Sequence, residues 1–249
     1  MIRRGCLTVS NLKPMSKSRI RIAANKALVR ERLTTDPAQW SRECVLPYPR
    51  EFEKSIDLLE EAARHAARGN KEQAQRLIGE MLDAEMRSWF DDLAQNSGKV
   101  RLEILNRTPT FHPGKNLIKR PTNAQEKKII EAQGFHCRYC GIRLVLNDQL
   151  KKLQKIVGYD VLPNRSQAKK KTKNIDIHGI WVITRATVDH VVPVSQGGLD
   201  VNREENLAAC CWPCNYAKWK YTIEDLELDN PMFRQVRHTD WLGLTDILQ

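Results

Sequence analysis

Two matched cysteine pairs, Cys137-Arg138-Tyr139-Cys140 and Cys211-Trp212-Pro213-Cys214, constrain this chain more than any other feature. Two Cys-x-x-Cys knuckles supply the four thiolates of a closed tetrahedral Zn²⁺ site, and such a site leaves no position open for water or substrate. Its role is therefore structural. Cys140 and Cys211 stand 71 residues apart, so the metal would tie down the two ends of a folded element rather than close a small finger. The seven cysteines are an odd number, and the paired spacing favours metal over disulfides in a reducing compartment. Cys6, Cys44 and Cys210 are left over; Cys210, beside a ligand, reads as a small buried hydrophobe.

The formal net charge of +11 is concentrated on the same stretch. Residues 101–220 carry 21 Lys and Arg against 10 Asp and Glu, whereas the last 29 residues are net acidic. A local positive field of this kind attracts polyanions, and nucleic acid is the natural partner. No apolar run long enough to span a bilayer appears and no secretory leader is visible, so the expectation is a soluble, cytoplasmic protein without a membrane partner. Residues 1–30 hold eight Lys/Arg and no acid, which reads as a nucleic-acid-binding arm, a transit-like presequence or a solvated tail.

Residues 50–98 are expected to form a helical hairpin. Ala74, Leu77, Ile78, Met81, Leu82, Met86, Trp89, Phe90 and Leu93 recur at three- and four-residue spacing, Gly69-Asn70 breaks the two arms, and Asn96-Ser97-Gly98 suits a helix C-terminus. A basic, partly irregular arm over 1–49 precedes it and a connector over 99–121 follows. At Thr122 a capping box with Gln125 opens a helix to about Ala132, stopped by Gly134. Residues 141–180 read as an insertion, with a helix around Asn147–Ile156 and the run Lys169-Lys170-Lys171-Thr172-Lys173, which is either a phosphate contact or an exposed loop. Ile180-Trp181-Val182-Ile183 and Thr187-Val188 supply β-branched and aromatic residues for a strand.

That strand leads into Asp189-His190-Val191-Val192-Pro193, a Gly197-Gly198 loop, then Asn202, Asn206-Leu207 and Cys214-Asn215-Tyr216-Ala217-Lys218. These residues resemble the HNH, or ββα-metal, endonuclease family, and the combination with two cysteine pairs makes the match specific. The tail from Lys220 to Leu244 is similar to that of some bacterial stand-alone HNH proteins. The resemblance covers 122–245 and implies an α+β architecture: a C-terminal ββα-metal core over 122–249, stapled by zinc and preceded by a mainly helical N-terminal region.

The resemblance assigns His190 as general base and Asn206 as a brace for the loop that presents it. Asp189 and Asn215 offer hard oxygens, suited to Mg²⁺ or Mn²⁺ rather than zinc. Because Asp189 and His190 are adjacent on a strand, local twist or a bulge is expected to let both reach one phosphate. Lys218 and Lys220 are candidate phosphate contacts. The expected activity is metal-dependent hydrolysis of phosphodiester bonds, in DNA or in RNA. The resemblance also raises the effector subunit of a bacterial antiviral defence or mobile-element system, with a sensor or ATPase subunit as partner, or a homodimer through the N-terminal helices. The competing expectation is a non-catalytic zinc module that binds nucleic acid or protein.

Overall fold

A computed structural model describes residues 17–34, 36–109, 121–164, 177–196 and 202–249. Two strands form its sheet: β1 (Ala186–His190) runs antiparallel to β2 (Leu207–Cys211), with Asp189 opposite Ala208 and His190 opposite Leu207. Helix α9 (Trp212–Lys218) follows β2 without a loop, giving a ββα unit. A mixed helical and sheet architecture with this unit C-terminal is what the sequence leads one to expect.

Nine α-helices are seen among the described residues. The first is α1 (Lys17–Leu33), within the basic, partly irregular arm expected over 1–49. Asn25, Val29 and Leu33, four residues apart, are buried against α5 (Gln95–Ile104) and a π-helical segment (Trp89–Ala94). This stripe is hard to see in the sequence because charged residues surround it on every side. The hairpin comprises α2 (Phe52–Ala67) and α3 (Lys71–Gly79), with Asn70 capping α3 through Gln73 N–H at 3.2 Å. Beyond α3 the expected second arm breaks at Met81-Leu82, and α4 (Asp83–Ser88), the π-helical segment and α5 follow in one run.

Asn96-Ser97-Gly98 does not end a helix. It lies inside α5, which continues to Ile104, so the first part of the expected connector is helical. The glycine is there for a tertiary reason: a Cβ on Gly98 would sit 1.9 Å from the carbonyl oxygen of Ala217, so only glycine lets α5 approach the backbone of α9. Phe90 packs on Trp212 and Tyr216 at centroid distances of 5.4 and 5.6 Å beside this contact. The N-terminal helices thus complete the core around α9, and one hydrophobic cluster runs from Val29 to Leu248.

Helix α6 (Asn123–Ala132) has the expected capping box on Thr122 and Gln125, and α7 (Asn147–Val157) buries Leu150, Leu153 and Val157. The expected strand over Ile180–Ile183 is instead helix α8 (Gly179–Thr184), and β1 begins only at Ala186. All four apolar residues of α8 are 3% exposed or less. A helix buried on every side shows no polar face, so its sequence is an unbroken apolar run that a strand would also produce.

Arg101 is fully buried without a carboxylate at its guanidinium. Its Nη atoms donate to the carbonyls of Ser41 (3.0 Å), Cys44 (3.4 Å), Val45 (3.5 Å) and Glu227 (3.4 Å), and its plane lies 4.7 Å from the Trp40 ring. Burial lowers its pKa to about 10. It joins α5, the 41–45 loop and the C-terminal tail. No described helix is long and apolar enough to cross a membrane.

The approach of α5 to α9 makes a direct prediction. Gly98→Ala should lower stability by about 1–3 kcal/mol, the usual cost of overpacking, whereas Gly79→Ala, with open space around it, should be neutral or slightly stabilising. Denaturant melts of the two variants check this, and equal midpoints would contradict the packing described.

Candidate active site and metal centre

Two local devices bring the cysteines together. In the first, a bridge between His136 and Arg143 and the bonds Cys137 N–H to Ile142 C=O and Gly141 N–H to Cys137 C=O, both 2.9 Å, close a tight loop in which Gly141 takes φ +79°. In the second, Cys211 ends β2 and Cys214 sits in the first turn of α9, next to Pro213, whose fixed φ favours a helix start. Arg138 N–H donates to Ala209 C=O at 2.8 Å and joins the two.

The four Sγ atoms lie within 4.8 Å of one another, and those of Cys140 and Cys211 are 3.7 Å apart. Tetrahedral metal–sulfur bonds of about 2.3 Å place thiolates about 3.8 Å apart. The set is close enough to hold a metal ion. Burial opposes ionisation of Cys137, yet hydrogen bonds from Cys140, Cys211 and Cys214 hold it well below the ordinary thiol range. Cys210 is fully buried and outside the cluster, against Thr187 Oγ1 at 3.2 Å. His136 is also outside it, with Nδ1 2.6 Å from the Gly134 carbonyl oxygen.

The second group of polar residues surrounds the end of β1. Asp189 is buried, and its Oδ2 accepts from Tyr139 Oη at 2.6 Å and lies 3.1 Å from Lys218 Nζ. Burial and the neighbouring Asp189 charge push the Tyr139 phenol well up, so it stays a hydrogen-bond donor. Asn215 Nδ2 donates to Thr187 Oγ1 (3.3 Å) and Val188 C=O (3.4 Å), which fixes its amide beside the strand face that Thr187 and Asp189 share. Its Oδ1 makes no hydrogen bond among the described residues.

His190 is half-buried on the opposite strand face, and its Nε2 pairs with Asn202 Oδ1 at 2.8 Å. With that oxygen as acceptor, Nε2 carries the proton and Nδ1 the lone pair. Pairing is regular through His190, so the bulge expected from the adjacency of Asp189 and His190 is absent. Asn206 accepts from Val192 N–H at 2.7 Å and donates to Val192 C=O at 3.1 Å, two residues past His190.

Lys218 is not the surface lysine its sequence setting implies. Its side chain is 1% exposed, and Nζ donates to the His190 carbonyl at 2.8 Å as well as meeting Asp189. A buried carboxylate requires such a counter-charge, and a buried ammonium requires its hydrogen bonds filled. Lys220 Nζ lies over the Trp219 ring, 4.4 Å from its centroid. Lys169, Lys170, Lys171 and Lys173 lie outside the described residues. Sequence reasoning missed Tyr139 and Asn202 as neighbours of the centre. Tyr139 was legible in principle, since it lies inside a knuckle; Asn202 had no signal beyond its place in the motif.

Residues 172–220 match the family model described as HNH endonuclease. No curated protein and no solved structure matches the chain. The match spans α8, both strands, the second cysteine pair, Asp189, His190, Asn215 and Lys218, and leaves Tyr139 outside. The chain is thus similar to HNH endonucleases over residues 172–220, and helices before α8 lie outside the match.

Proposed function

We propose that this protein is a divalent-metal-dependent endonuclease that hydrolyses phosphodiester bonds in DNA. The observation that carries the reading is the ββα unit in which β1 ends with a buried carboxylate followed by a half-buried imidazole, and the following α9 sets an amide on the strand face of that carboxylate. The basic stretch around this unit supports a polyanionic substrate.

Asp189 and Asn215 would hold Mg²⁺ or Mn²⁺, because their oxygens are hard donors on one face and the Asn215 amide oxygen is left without another bond. Bound there, the ion would offset charge on the phosphoryl group and on the departing 3′ oxygen. His190 takes the proton from the attacking water at Nδ1, while Asn202 holds the other ring nitrogen and the tautomer. Asn206 fixes the backbone that follows His190, and Lys218 fixes its carbonyl. Zinc is the ion proposed for the cysteine cluster, since four thiolates at tetrahedral spacing are its preferred structural set.

The alternative of a non-catalytic module that binds nucleic acid draws on one observation, the hold of Lys218 on Asp189. Plasmid cleavage with Mg²⁺ decides between the two. Wild type should cut and His190→Ala should be slower by about 10²–10⁴-fold, the usual contribution of a general base; equal cutting by both, or none by either with any divalent cation, overturns the enzymatic reading.

The two metal sites should also separate on chelation. Elemental analysis should find about one zinc per chain that survives brief treatment with a weak chelator, while cleavage is lost and returns with added Mg²⁺ or Mn²⁺. Cys211→Ser should lose the zinc and melt lower, and full zinc retention in that variant would contradict the four-sulfur site.

A further inference from the structure

The turn that leaves α9 places a tryptophan where the backbone asks for glycine. Tyr221 N–H donates to Lys218 C=O at 3.1 Å, closing a four-residue turn, and Trp219 at its first central position has φ +50° and ψ −123°. This is the conformation of the first central residue of a type II′ turn, which glycine normally occupies. A bulky side chain held there costs free energy that must be recovered elsewhere. At Phe135 and Leu244, the other bulky apolar residues with positive φ among the described residues, the side chains are 5% and 1% exposed, and burial recovers the cost. Trp219 is 58% exposed. The fold does not use most of its ring.

The surroundings of that ring point to a ligand. Tyr221, itself buried, meets it at 5.5 Å with the two rings nearly perpendicular, and Lys220 brings an ammonium over the ring, 4.4 Å from its centroid. Trp219 N–H donates to Asn215 C=O at 2.8 Å, so the turn is fastened to the residue proposed to hold the catalytic cation. An exposed aromatic ring with an ammonium over it, on a side chain long enough to swing to a neighbouring phosphate, is the chemistry that receives a nucleobase and its phosphate.

We propose that Trp219 is a stacking platform for an unpaired base of the substrate strand, with Lys220 at the adjoining phosphate. The proposal rests on the reading of the site as a nucleic-acid hydrolase and adds how that site grips its strand. A base paired in a duplex has no free face to offer, so the platform acts on single-stranded or locally opened DNA.

The test measures anisotropy of a fluorescein-labelled single-stranded DNA 20-mer with the full chain and no added divalent cation, beside thermal melts. Trp219→Gly should bind about tenfold more weakly, with an unchanged salt dependence, and should melt at or above the wild-type temperature because glycine removes the strain. Trp219→Phe should keep most of the affinity. Lys220→Ala should weaken binding and reduce the salt slope by about one. Affinity of Trp219→Gly within twofold of wild type overturns the platform, and so does a lower melting temperature, which would make the ring a structural element. If wild type binds the strand and cuts DNA while Trp219→Gly does both equally well, only the platform falls. If wild type neither binds nor cuts, the hydrolase reading falls and the platform falls with it.

Discussion

Four sulfur atoms drawn from positions 137 to 214 meet within 4.8 Å, and the candidate site depends on that convergence. Bringing together segments this far apart in sequence costs chain entropy, which the hydrogen bonds of either knuckle alone could not offset. What the staple fixes extends beyond the sulfurs. Tyr139 lies between the two cysteines of the first knuckle and reaches Asp189, whereas Asn215 directly follows the last cysteine of the second. Each arm of the staple therefore delivers one polar group to the surroundings of the same carboxylate. The cysteine cluster and the residues proposed for chemistry are coupled by covalent neighbourhood.

Helix α9 has only 7 residues, too few to persist in isolation, so its geometry is imposed from outside. The cysteine cluster gathers its start, the Lys218 ammonium anchors its end to Asp189 and the His190 carbonyl, and α5 presses on its flank through Gly98. The helical N-terminal region then serves as a buttress for the site. Phe90 packs against Trp212 and Tyr216 to complete that contact.

The sequence made legible what is encoded locally. The capping box at Thr122, the two knuckles, α7 and the break at Gly69-Asn70 each follow from residues within a few positions of one another. What stayed hidden depends on distant partners. Gly98 looks like a helix terminator until Ala217 is seen against it, and Lys218 looks like a solvated lysine until β1 is folded beneath it. The apolar run 180–183 carries no period that separates a buried helix from a strand, and the α1 stripe is a narrow line of three residues in a charged helix. Within the site, the position of Asp189 between Tyr139 and Lys218 is a tertiary fact, although each of the three types is visible in the motif region.

The C-terminal tail beyond Trp219 has almost no regular ladder of its own, and arginines hold it down. Arg138 donates to the carbonyls of Pro231, Arg234 and Gln235, Arg234 donates back to those of Arg138, Tyr139, Arg42 and Glu43, and Arg101 reaches Glu227. These bonds join residues between 93 and 192 positions apart, so none can close before the rest of the chain has collapsed. Lifting the tail would break these bonds together and uncover the backbone of the first knuckle, so exchange of any metal held by the four sulfurs would depend on the docking of the tail as well as on the sulfurs.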